Sequence, residues 1–309
     1  MLRYSVNRLL RALLTFWGVL TIVFVVPRLL GDPVLLMVPL GTDQETMDIM
    51  RQSLGFDRPI MVQYFEYLAG VFRLDFGESI LFRTDAMKVV LRRFPATLQL
   101  AVAAVMWGIV VGIPLGLLSA RRPGSAVDHT SRSAAVLGQS VPGFIAAIVL
   151  LYLFTVQWRV LPPRGPDEGL ASFSELILPS LALGFGIIGP IARLARSSML
   201  EVVNTEYITM ARLKGLRERA VIGKHAFRNA ISPVLTYLSL TFAALLGGVV
   251  IVESIFGWPG IGRVAISAIN EWDFSVIQAV TVVGSTAFII VNYVVDLLYA
   301  FTDPRIRYT

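Results

Sequence analysis

Long runs of apolar residues, separated by polar segments, dominate the hydrophobic pattern of this chain. A helix needs about 20 mostly apolar residues to cross the hydrocarbon core of a bilayer, where no backbone group can stay unpaired. Six runs meet this requirement, at roughly residues 9–26, 96–120, 133–158, 176–192, 231–252 and 276–295. The pattern therefore predicts an all-α, polytopic membrane protein with six transmembrane helices.

The first apolar run also fits a second interpretation. Arg3, Arg8 and Arg11 precede apolar residues 12–26, an order that suits a secretory signal peptide as well. No small-x-small cleavage site follows, because the chain continues as PRLLGDPV. We therefore expect an uncleaved first span, with the Arg11 side chain extending to the membrane interface.

Composition agrees with a bilayer as the solvent and argues against several kinds of site. Of the 309 residues, 55% are hydrophobic and 16% charged, and the mean hydropathy is +0.70. The chain has no Cys, and His129 and His225 alone cannot form a zinc site. The pI near 9.8 comes without a basic tract or a nucleic-acid-binding motif. We expect no metal site and no nucleic acid partner.

Lys and Arg in the polar segments predict the orientation, because cationic segments are retained in the cytoplasm. With the N-terminus inside, the cytoplasmic segments contain sixteen basic residues and the two short outer loops contain three. The inner set comprises Arg3, Arg8, Arg11, Arg121, Arg122, Arg132, eight residues between positions 193 and 228, Arg305 and Arg307; the outer set comprises Arg159, Arg164 and Arg263. Both termini are therefore predicted to be cytoplasmic.

Residues 31–95 are predicted to form a small extracytoplasmic domain after the first helix. Residues 28–95 contain eight basic and nine acidic residues, which is too polar to span and too long for a simple turn. The chain is accordingly divided into a cytoplasmic N-terminus and first helix (1–30), this domain (31–95) and a five-helix core (96–309). A cytoplasmic hairpin at 201–230 interrupts the core.

Two helices are expected within the extracytoplasmic domain. Thr42 and Glu45 in TDQETMDIMRQSLG form a capping-box pattern, which with Gly55 as a C-terminal stop predicts a helix over 43–54. A second helix is predicted to start near Asp57 and Pro59. One face of it would be formed by Ile60, Tyr64, Leu68 and Phe72.

Two glycine patterns inside the spans favour helix packing. GFGIIG at residues 184–189 matches the dinucleotide fingerprint G-x-G-x-x-G, but that motif requires a strand before it. Here it lies in an apolar span and is followed by Pro190. Gly108, Gly112 and Gly116 have small-x-x-x-small spacing, which allows close helix approach in lipid, and Pro114 is expected to add a bend.

No catalytic signature accompanies the spans. The sequence lacks H-E-x-x-H, G-x-S-x-G and G-x-x-x-x-G-K-[ST], so we expect neither an intramembrane protease nor an ATPase on this chain. An ion-coupled transporter usually keeps charged residues within its spans. The predicted spans keep none at depth, and Asp296 lies at the cytoplasmic end of the last. Energy for any transport is therefore expected from another subunit.

A basic segment between the fourth and fifth spans is the main functional candidate. Residues 206–230 carry six Lys or Arg against two Glu, and two helix-like halves meet near Gly215. One side of the first half is shared by Tyr207, Met210, Ala211 and Lys214, with small residues that permit close approach by a partner. The segment is either a solvated basic loop near anionic lipid or a helical hairpin that docks a cytoplasmic motor.

This segment resembles the inner-membrane permease subunits of ABC importers, in the branch that carries dipeptides, oligopeptides or nickel. The general importer signature is Glu-Ala-Ala, three residues, Gly, nine residues and Ile-x-Leu-Pro. Aligned on Gly215 it is kept only in part, since Thr209, Met210 and Ala211 stand for Glu-Ala-Ala, and Phe227 and Arg228 for Leu-Pro. The variant of the peptide branch matches at Glu206, Tyr207, Ala211, Arg212, Lys214, Gly215, Leu216, His225, Arg228, Asn229, Ala230 and Pro233.

The resemblance extends along nearly the whole chain. It continues through GDP at residues 31–33, LGFDRPIMVQY, FPATLQL, GIPLGLLSA, ARSSMLEV and VESIFGWPGIG. It implies a permease in the bacterial inner membrane that pairs with a homologous second permease subunit, two cytoplasmic ATPase subunits and an extracytoplasmic substrate-binding protein. It also implies no cofactor on this chain, with ATP and Mg on the ATPases, whose closure would drive alternating access.

Two sets of site residues follow from the resemblance. On the coupling hairpin, Tyr207, Ala211 and Gly215 are expected to give surface fit and Glu206, Arg212 and Lys214 polar anchors, with Leu216 in the same docking set. Outside, the loop containing Glu253, Phe256, Trp258 and Pro259 is expected either to fold back against the translocation mouth or to form an interfacial turn anchored by Trp258. The 31–95 domain is expected either to contact the binding protein or only to brace the sibling subunit.

The sequence thus predicts half of a translocation pathway for peptides. The same architecture would also suit nickel, haem or glutathione, because such permeases often leave cargo selection to the binding protein. A membrane scaffold or receptor without transport is the alternative from a different class.

Overall fold

A computed structural model describes residues 2–29, 32, 34, 35, 38, 41–166, 169–247 and 249–302 of the chain. Regular structure in this part is helical, apart from an isolated bridge between Glu78 and Asp85. Four helices are long and apolar enough to cross a membrane, and two bent helix pairs raise the number to six if each pair is one span. The predicted all-helical, polytopic class is confirmed. Gly31, Pro33, Arg305 and Arg307, which entered the predictions, lie outside the described residues.

Helices make up most of the described part of the chain. In chain order they are α1 Leu2–Leu29, α2 Gln44–Ser53, α3 Ile60–Arg73, α4 Ala86–Trp107, α5 Ile113–Arg121, α6 Ala126–Ser140, α7 Gly143–Leu151, α8 Phe173–Val203, α9 Glu206–Leu213, α10 Glu218–Ala220, α11 Phe227–Ala230, α12 Ser232–Leu246, α13 Val250–Ile255, α14 Ile261–Asn270 and α15 Phe274–Thr302. Three π-helical segments, Gly108–Gly112, Tyr152–Gln157 and Val221–Ala226, continue helices without a break.

The chain divides into two compact units. The first comprises Met1–Thr97, Leu246–Val250 and Pro259–Thr309, and the second comprises Leu98–Leu245 and Ile251–Trp258. Helix α4 passes from the first unit to the second. The predicted boundary at residue 95 therefore lies inside a helix, because α4 starts at Ala86 and continues through Pro95.

In the first unit, α2 starts one residue later than the capping-box pattern predicts. The N-cap is Asp43 and not Thr42, because the Asp43 carboxylate accepts the Thr46 backbone N–H at 2.9 Å. This hydrogen bond lowers the pKa of Asp43 below its ordinary value. Gly55 follows the helix with φ +71°, as its predicted role as a C-terminal stop requires.

Helix α3 starts where the sequence predicts, and two of the four residues predicted for one face, Tyr64 and Leu68, are partly buried. Ile60 and Phe72 are exposed, whereas Tyr64 and Tyr67 turn towards α1. Their rings lie 5.0 and 5.6 Å from the ring of Phe24 on that helix. Contact with α1 therefore sets the rotation of α3, and the i, i+4 pattern alone did not reveal it.

A buried carboxylate ties the segment after α3 to the last helix of the same unit. Asp273, at the start of α15, has no exposed surface. It accepts hydrogen bonds from the Ser79 hydroxyl at 2.5 Å, the Leu81 N–H at 3.1 Å and the Val276 N–H at 3.2 Å. Three donors around one carboxylate satisfy a charge that would otherwise be costly to bury. The start of α4 packs with α14 and α15 beside it through apolar side chains.

The second unit is built around α8. This helix starts with a capping box in which the Glu175 carboxylate accepts the Ser172 N–H at 2.8 Å. Helices α5, α6 and α7 and the π-helical segment after α4 all pack against it. It is therefore the shared neighbour of most other helices of this unit.

Glycine contacts confirm the predicted packing role of both glycine patterns. A Cβ at Gly108 would lie 2.5 Å from Ile191, and one at Gly116 would overlap the backbone of Ala192. In the GFGIIG segment, Gly184 lies against Trp107 and a Cβ at Gly189 would lie 2.5 Å from the carbonyl oxygen of Ala135. Glycine allows the backbones to approach this closely, which strengthens helix contacts in lipid.

Two predicted spans depart from a single straight helix. The run at 133–158 contains α6 and α7, which meet at an angle of 98°. Val141 between them is extended, because the ring of Pro142 disfavours the helical conformation in the residue before it. In the run at 231–252, α12 ends at Leu246 and α13 starts at Val250. The π-helical segment Gly108–Gly112 lies just before Pro114. Its altered hydrogen-bond pattern accommodates a residue that has no backbone N–H to donate.

A buried ion pair joins α5, α6 and α8 at one end of the second unit. Asp128 is fully buried and accepts two hydrogen bonds from the Arg196 guanidinium, at 2.7 and 2.9 Å. It also accepts the Ser119 hydroxyl at 2.5 Å and the Gly124 N–H at 2.9 Å. Every oxygen of this carboxylate is thus paired, as a buried charge requires.

We expect the two glycines of GFGIIG to differ sharply on replacement by alanine. Gly189→Ala should lower the free energy of unfolding by about 1–3 kcal/mol, because its Cβ would overlap the Ala135 backbone. Gly186→Ala is the matched control: its Cβ has open space, so it should be neutral or stabilising by up to about 1 kcal/mol. Thermal unfolding of the detergent-solubilised chain checks this. Equal effects at the two positions would contradict the packing role.

The Asp128–Arg196 pair should contribute much more to stability than an exposed pair. Asp128→Asn should lower Tm by roughly 6–15 °C, because it leaves the guanidinium without its counter-charge. The exposed Arg212–Glu218 pair provides the control, and Glu218→Gln should lower Tm by less than about 3 °C. The same thermal unfolding assay measures both variants. A smaller fall for Asp128→Asn would count against the pair as the joint of these helices.

Candidate functional site

The basic segment folds as a hairpin with two helical halves, as the sequence predicts. Helix α9 ends at Leu213, and the helical stretch Glu218–Ala230 forms the second half. Gly215 lies between them with φ +73°, a conformation that glycine adopts without strain. Its Cβ would meet nothing within 4 Å, so backbone conformation and not space selects glycine here.

One face of α9 packs against the chain itself. Ile208 is fully buried and Ala211 is 9% exposed, and both join an apolar cluster with Met199, Val221 and Ala226. The prediction that Ala211 lies on a side open to a partner is therefore wrong. Its small side chain instead lets α9 approach the end of α8 and the second half of the hairpin.

The opposite face of the hairpin is apolar and exposed. Leu213 is 77% exposed, Met210 59% and Leu216 43%. Lys214 and Arg217 lie beside them and are exposed as well. Large apolar side chains exposed next to basic ones are typical of a surface that a protein partner covers.

Polar contacts within the hairpin brace the turn. Arg212 donates to Glu218 across Gly215, with Nη2 at 3.0 Å from Oε1. The Asn229 side chain donates to the Tyr207 hydroxyl at 2.7 Å, which joins the two halves. Arg212 and Tyr207 thus contact residues of their own chain, although both are also exposed, as are Glu206 and Lys214.

A cleft of about 730 Å³ lies under the hairpin. Leu117, Met199 and Phe227 supply apolar side chains, and Arg121 and Arg219 add basic ones. It connects the ends of α5 and α8 with the hairpin, so a partner on the hairpin would lie close to both helices. Among the described residues, no group of three or more His, Asp and Glu side chains could hold a metal ion.

The second predicted site, around ESIFGWPGIG, is buried. Phe256 and Trp258 have 1% and 0% of their surface exposed. The Phe256 carbonyl accepts the Gly165 N–H at 2.9 Å, and a Cβ at Gly165 would lie 2.7 Å from the Trp258 ring. The segment therefore folds back on the loop around Gly165. A fully buried Trp258 is not an interfacial anchor, so that alternative is wrong.

Glu253 and Pro259, the other two residues predicted for this loop, are also buried. Glu253 lies in α13, and its backbone carbonyl accepts the Trp258 N–H at 2.7 Å. Pro259 belongs to the first unit.

Sequence reasoning missed the buried carboxylates Asp128 and Asp273 and the exposed Leu213. The spacing of Ser125 and Asp128 at the start of α6 was an available signal, because Ser125 is the N-cap there. It predicts a helix start but not the Arg196 partner, which lies 68 residues away.

Glutathione permeases are among the curated relatives of the chain. The sequence is 38% identical to the glutathione transport system permease protein GsiC of Salmonella typhi, over 309 residues and 100% of both chains. It is 37% identical to the GsiC protein of Escherichia coli strain K12, again over 100% of both chains.

Solved structures show the same fold at lower identity. An inward-facing structure of the MetNI methionine ABC transporter matches with a TM-score of 0.58 and 19% identity, over 70% of this chain and 97% of that chain. At this sequence identity, the similarity is evidence for a shared fold.

Two family descriptions match almost the whole chain. Residues 1–101 match the N-terminal part of the binding-protein-dependent transport system membrane component, and residues 112–308 match the binding-protein-dependent transport system inner membrane component. The family resemblance expected from the sequence is confirmed. With its apolar helices, its polar hairpin and these full-length matches, the chain belongs to the inner membrane components of binding-protein-dependent transport systems, the permeases of ABC transporters, and is a multi-pass bacterial inner-membrane protein.

Proposed function

We propose that this chain forms one half of the membrane pathway of an ATP-driven importer for short peptides. The observation that carries the proposal is its similarity over 100% of its length to glutathione permeases. Glutathione is itself a tripeptide, so the relatives and the sequence motifs of the hairpin agree on one cargo class. Glutathione is accordingly the first cargo to test, with nickel and haem as the competing cargoes of this architecture.

The proposed topology has six spans with both termini in the cytoplasm. Four long helices supply four spans, and the bent pair of α6 and α7 supplies a fifth. The sixth is assigned to α12, Ser232–Leu246, which follows the second half of the hairpin at a bend of 46°. The sixteen basic residues on one predicted side, against three on the other, support this orientation. In this arrangement the hairpin is cytoplasmic, and the segment between α1 and α4 is extracytoplasmic, where it faces the binding protein or the sibling permease.

The exposed apolar face of the hairpin is proposed as the docking surface for an ATPase subunit. Met210, Leu213 and Leu216 would enter the partner's cleft, and Lys214 and Arg217 would meet its polar rim. Ala211, Arg212 and Tyr207 have a different role in this proposal: they hold the hairpin to its own chain.

A docking element transmits motion only if it is firmly attached to the spans. Ile208 and Ala211 anchor α9 in an apolar cluster that includes Met199 of α8. Closely packed side chains move together and do not deform continuously. ATP-driven closure of the ATPases would therefore move the hairpin and α8 as one body, which supports alternating access by rigid-body rocking.

This proposal places ATP and Mg on the partner ATPases and no catalytic group on this chain. Its assembly contains a homologous second permease, two ATPase subunits and an extracytoplasmic binding protein. A membrane scaffold or receptor without transport is the competing function, and it needs no ATPase on the hairpin.

Leu213→Glu should abolish copurification of the ATPase subunits with the permease. A carboxylate on the exposed apolar face would have to be desolvated against the partner's cleft, which is costly. Ile49→Glu is the matched control, because Ile49 is also exposed, at 62%, but lies on α2 in the extracytoplasmic segment. Pulldown in mild detergent measures the ATPase retained. Full retention with Leu213→Glu would refute this docking surface.

The complete transporter, in vesicles with its binding protein and ATP, should accumulate labelled glutathione or di- to tetrapeptides. Uptake should fall to background when the permease carries Leu213→Glu. Parallel assays with nickel and haem test the alternatives. Uptake of either one without any peptide uptake would overturn the peptide assignment, and no ATP-dependent uptake of any cargo would favour the scaffold.

A further inference from the structure

Two arginines line a cavity that neither the hairpin nor the buried loop uses. The cavity has a volume of about 300 Å³ and lies between α5, α6 and α8 in the second unit. The small residues Gly116, Ala135 and Ala192 form part of its wall, and Arg132 and Arg193 also line it. The wall therefore combines small residues with two basic side chains, which give the cavity its charge.

The cavity carries a net positive charge. A third arginine in its wall, Arg196, is neutralised by its two hydrogen bonds to Asp128. No acidic residue is among the described residues that line the cavity, and Arg132 and Arg193 form no ion pair with any of the described residues. Two guanidinium groups are therefore available to a bound anion, and their planar donors suit the oxygens of a phosphate.

The position of Arg132 and Arg193 relative to the hydrocarbon core indicates which kind of anion suits the cavity. Arg132 directly precedes the apolar run at 133–158, and Arg193 directly follows the run at 176–192. Both therefore lie at the cytoplasmic boundary of the hydrocarbon core in the proposed orientation. One turn further along α6, Val136 is 55% exposed and its neighbour Leu137 is 65% exposed. Cationic groups at headgroup depth next to exposed apolar side chains match an amphiphile with an acidic head.

We propose that this cavity binds an anionic phospholipid of the cytoplasmic leaflet, with the phosphate held by Arg132 and Arg193. The acyl chains lie along Val136 and Leu137. Basic cavities between helices on the cytoplasmic side are suited to acidic headgroups. A peptide carboxylate would also pair with the arginines, but it would leave the adjacent apolar strip uncovered. The site rests on the proposed orientation and not on the cargo or on ATPase docking.

The lipid would also stabilise the joint formed by Asp128 and Arg196, because it contacts the same two helices. A ligand that binds only the folded state raises its stability. Phosphatidylglycerol should therefore raise the Tm of the purified full-length chain, and phosphatidylcholine should not.

Native mass spectrometry of the full-length chain in detergent, titrated with phosphatidylglycerol, tests the site directly. The double variant Arg132→Gln/Arg193→Gln should bind phosphatidylglycerol about 10- to 30-fold more weakly, from about 1 kcal/mol per basic residue near an anionic surface. Arg122→Gln/Arg228→Gln is the matched control, since it removes the same charge on the same predicted side from exposed positions that do not line the cavity. It should change binding by less than about threefold. Arg132→Lys/Arg193→Lys should keep the preference for phosphatidylglycerol over phosphatidylcholine and the lipid-dependent rise in Tm.

Competition experiments with soluble anions show which kind of anion the cavity binds. Millimolar inorganic phosphate and glutathione should leave phosphatidylglycerol bound. Displacement by inorganic phosphate would make this a free-anion site, and displacement by glutathione would make it a cargo site; either result overturns the lipid assignment. Equal lipid binding by the two Gln double variants would overturn the site itself. None of these results depends on transport, so failure here is distinguishable from failure of the proposed function.

Discussion

Water drives apolar helices together in a soluble protein, but lipid tails do not, so helices in a membrane associate through close packing and internal polar contacts. In this permease, close packing and polar contacts both hold neighbouring helices to α8. Glycines on α5 and on α8 itself bring neighbouring backbones close enough that an added Cβ would overlap them, as at Gly116 and Gly189. At one end of the same unit, Asp128 and Arg196 add a paired charge that links three helices. Most helices of the second unit are placed by their contact with this one helix.

The proposed docking hairpin depends on this arrangement. It starts three residues after α8 ends, and Ile208 and Ala211 fasten it to Met199 near that end. The helix that organises the unit is thus also the helix to which the hairpin is attached. Force applied to Leu213 in the proposed transport cycle would reach the packed helices through apolar contacts and not through a loose loop. The same end of α8 carries Arg193, which places the inferred lipid beside the mechanical joint.

The two faces of α9 have different roles, and helix periodicity decides which residues lie on each face. Residues 208 and 211 lie on one face of α9, so they share the same cluster, whereas Met210 and Leu213 lie on the other. The motif resemblance singles out Ala211, which packs against Met199, Val221 and Ala226. The reason differs from the expected one: the close neighbour is this chain and not a partner. A short motif indicates that a position is constrained, and only the contacts in the structure show which neighbour constrains it.

Elements set by local chemistry were accessible from the sequence. Apolar runs predicted the helical, membrane-spanning class, Gly215 predicted the hairpin turn, and the glycine spacings predicted helix contacts, because each depends on residues near one another in the chain. Contacts between distant residues were not accessible. The pairing of Asp128 with Arg196, the rotation of α3 towards Phe24 and the burial of Trp258 against Gly165 each join segments far apart in sequence. Local pattern is fixed by composition and spacing, but which face of a helix is covered depends on the helix that packs against it, and only the tertiary structure supplies that neighbour.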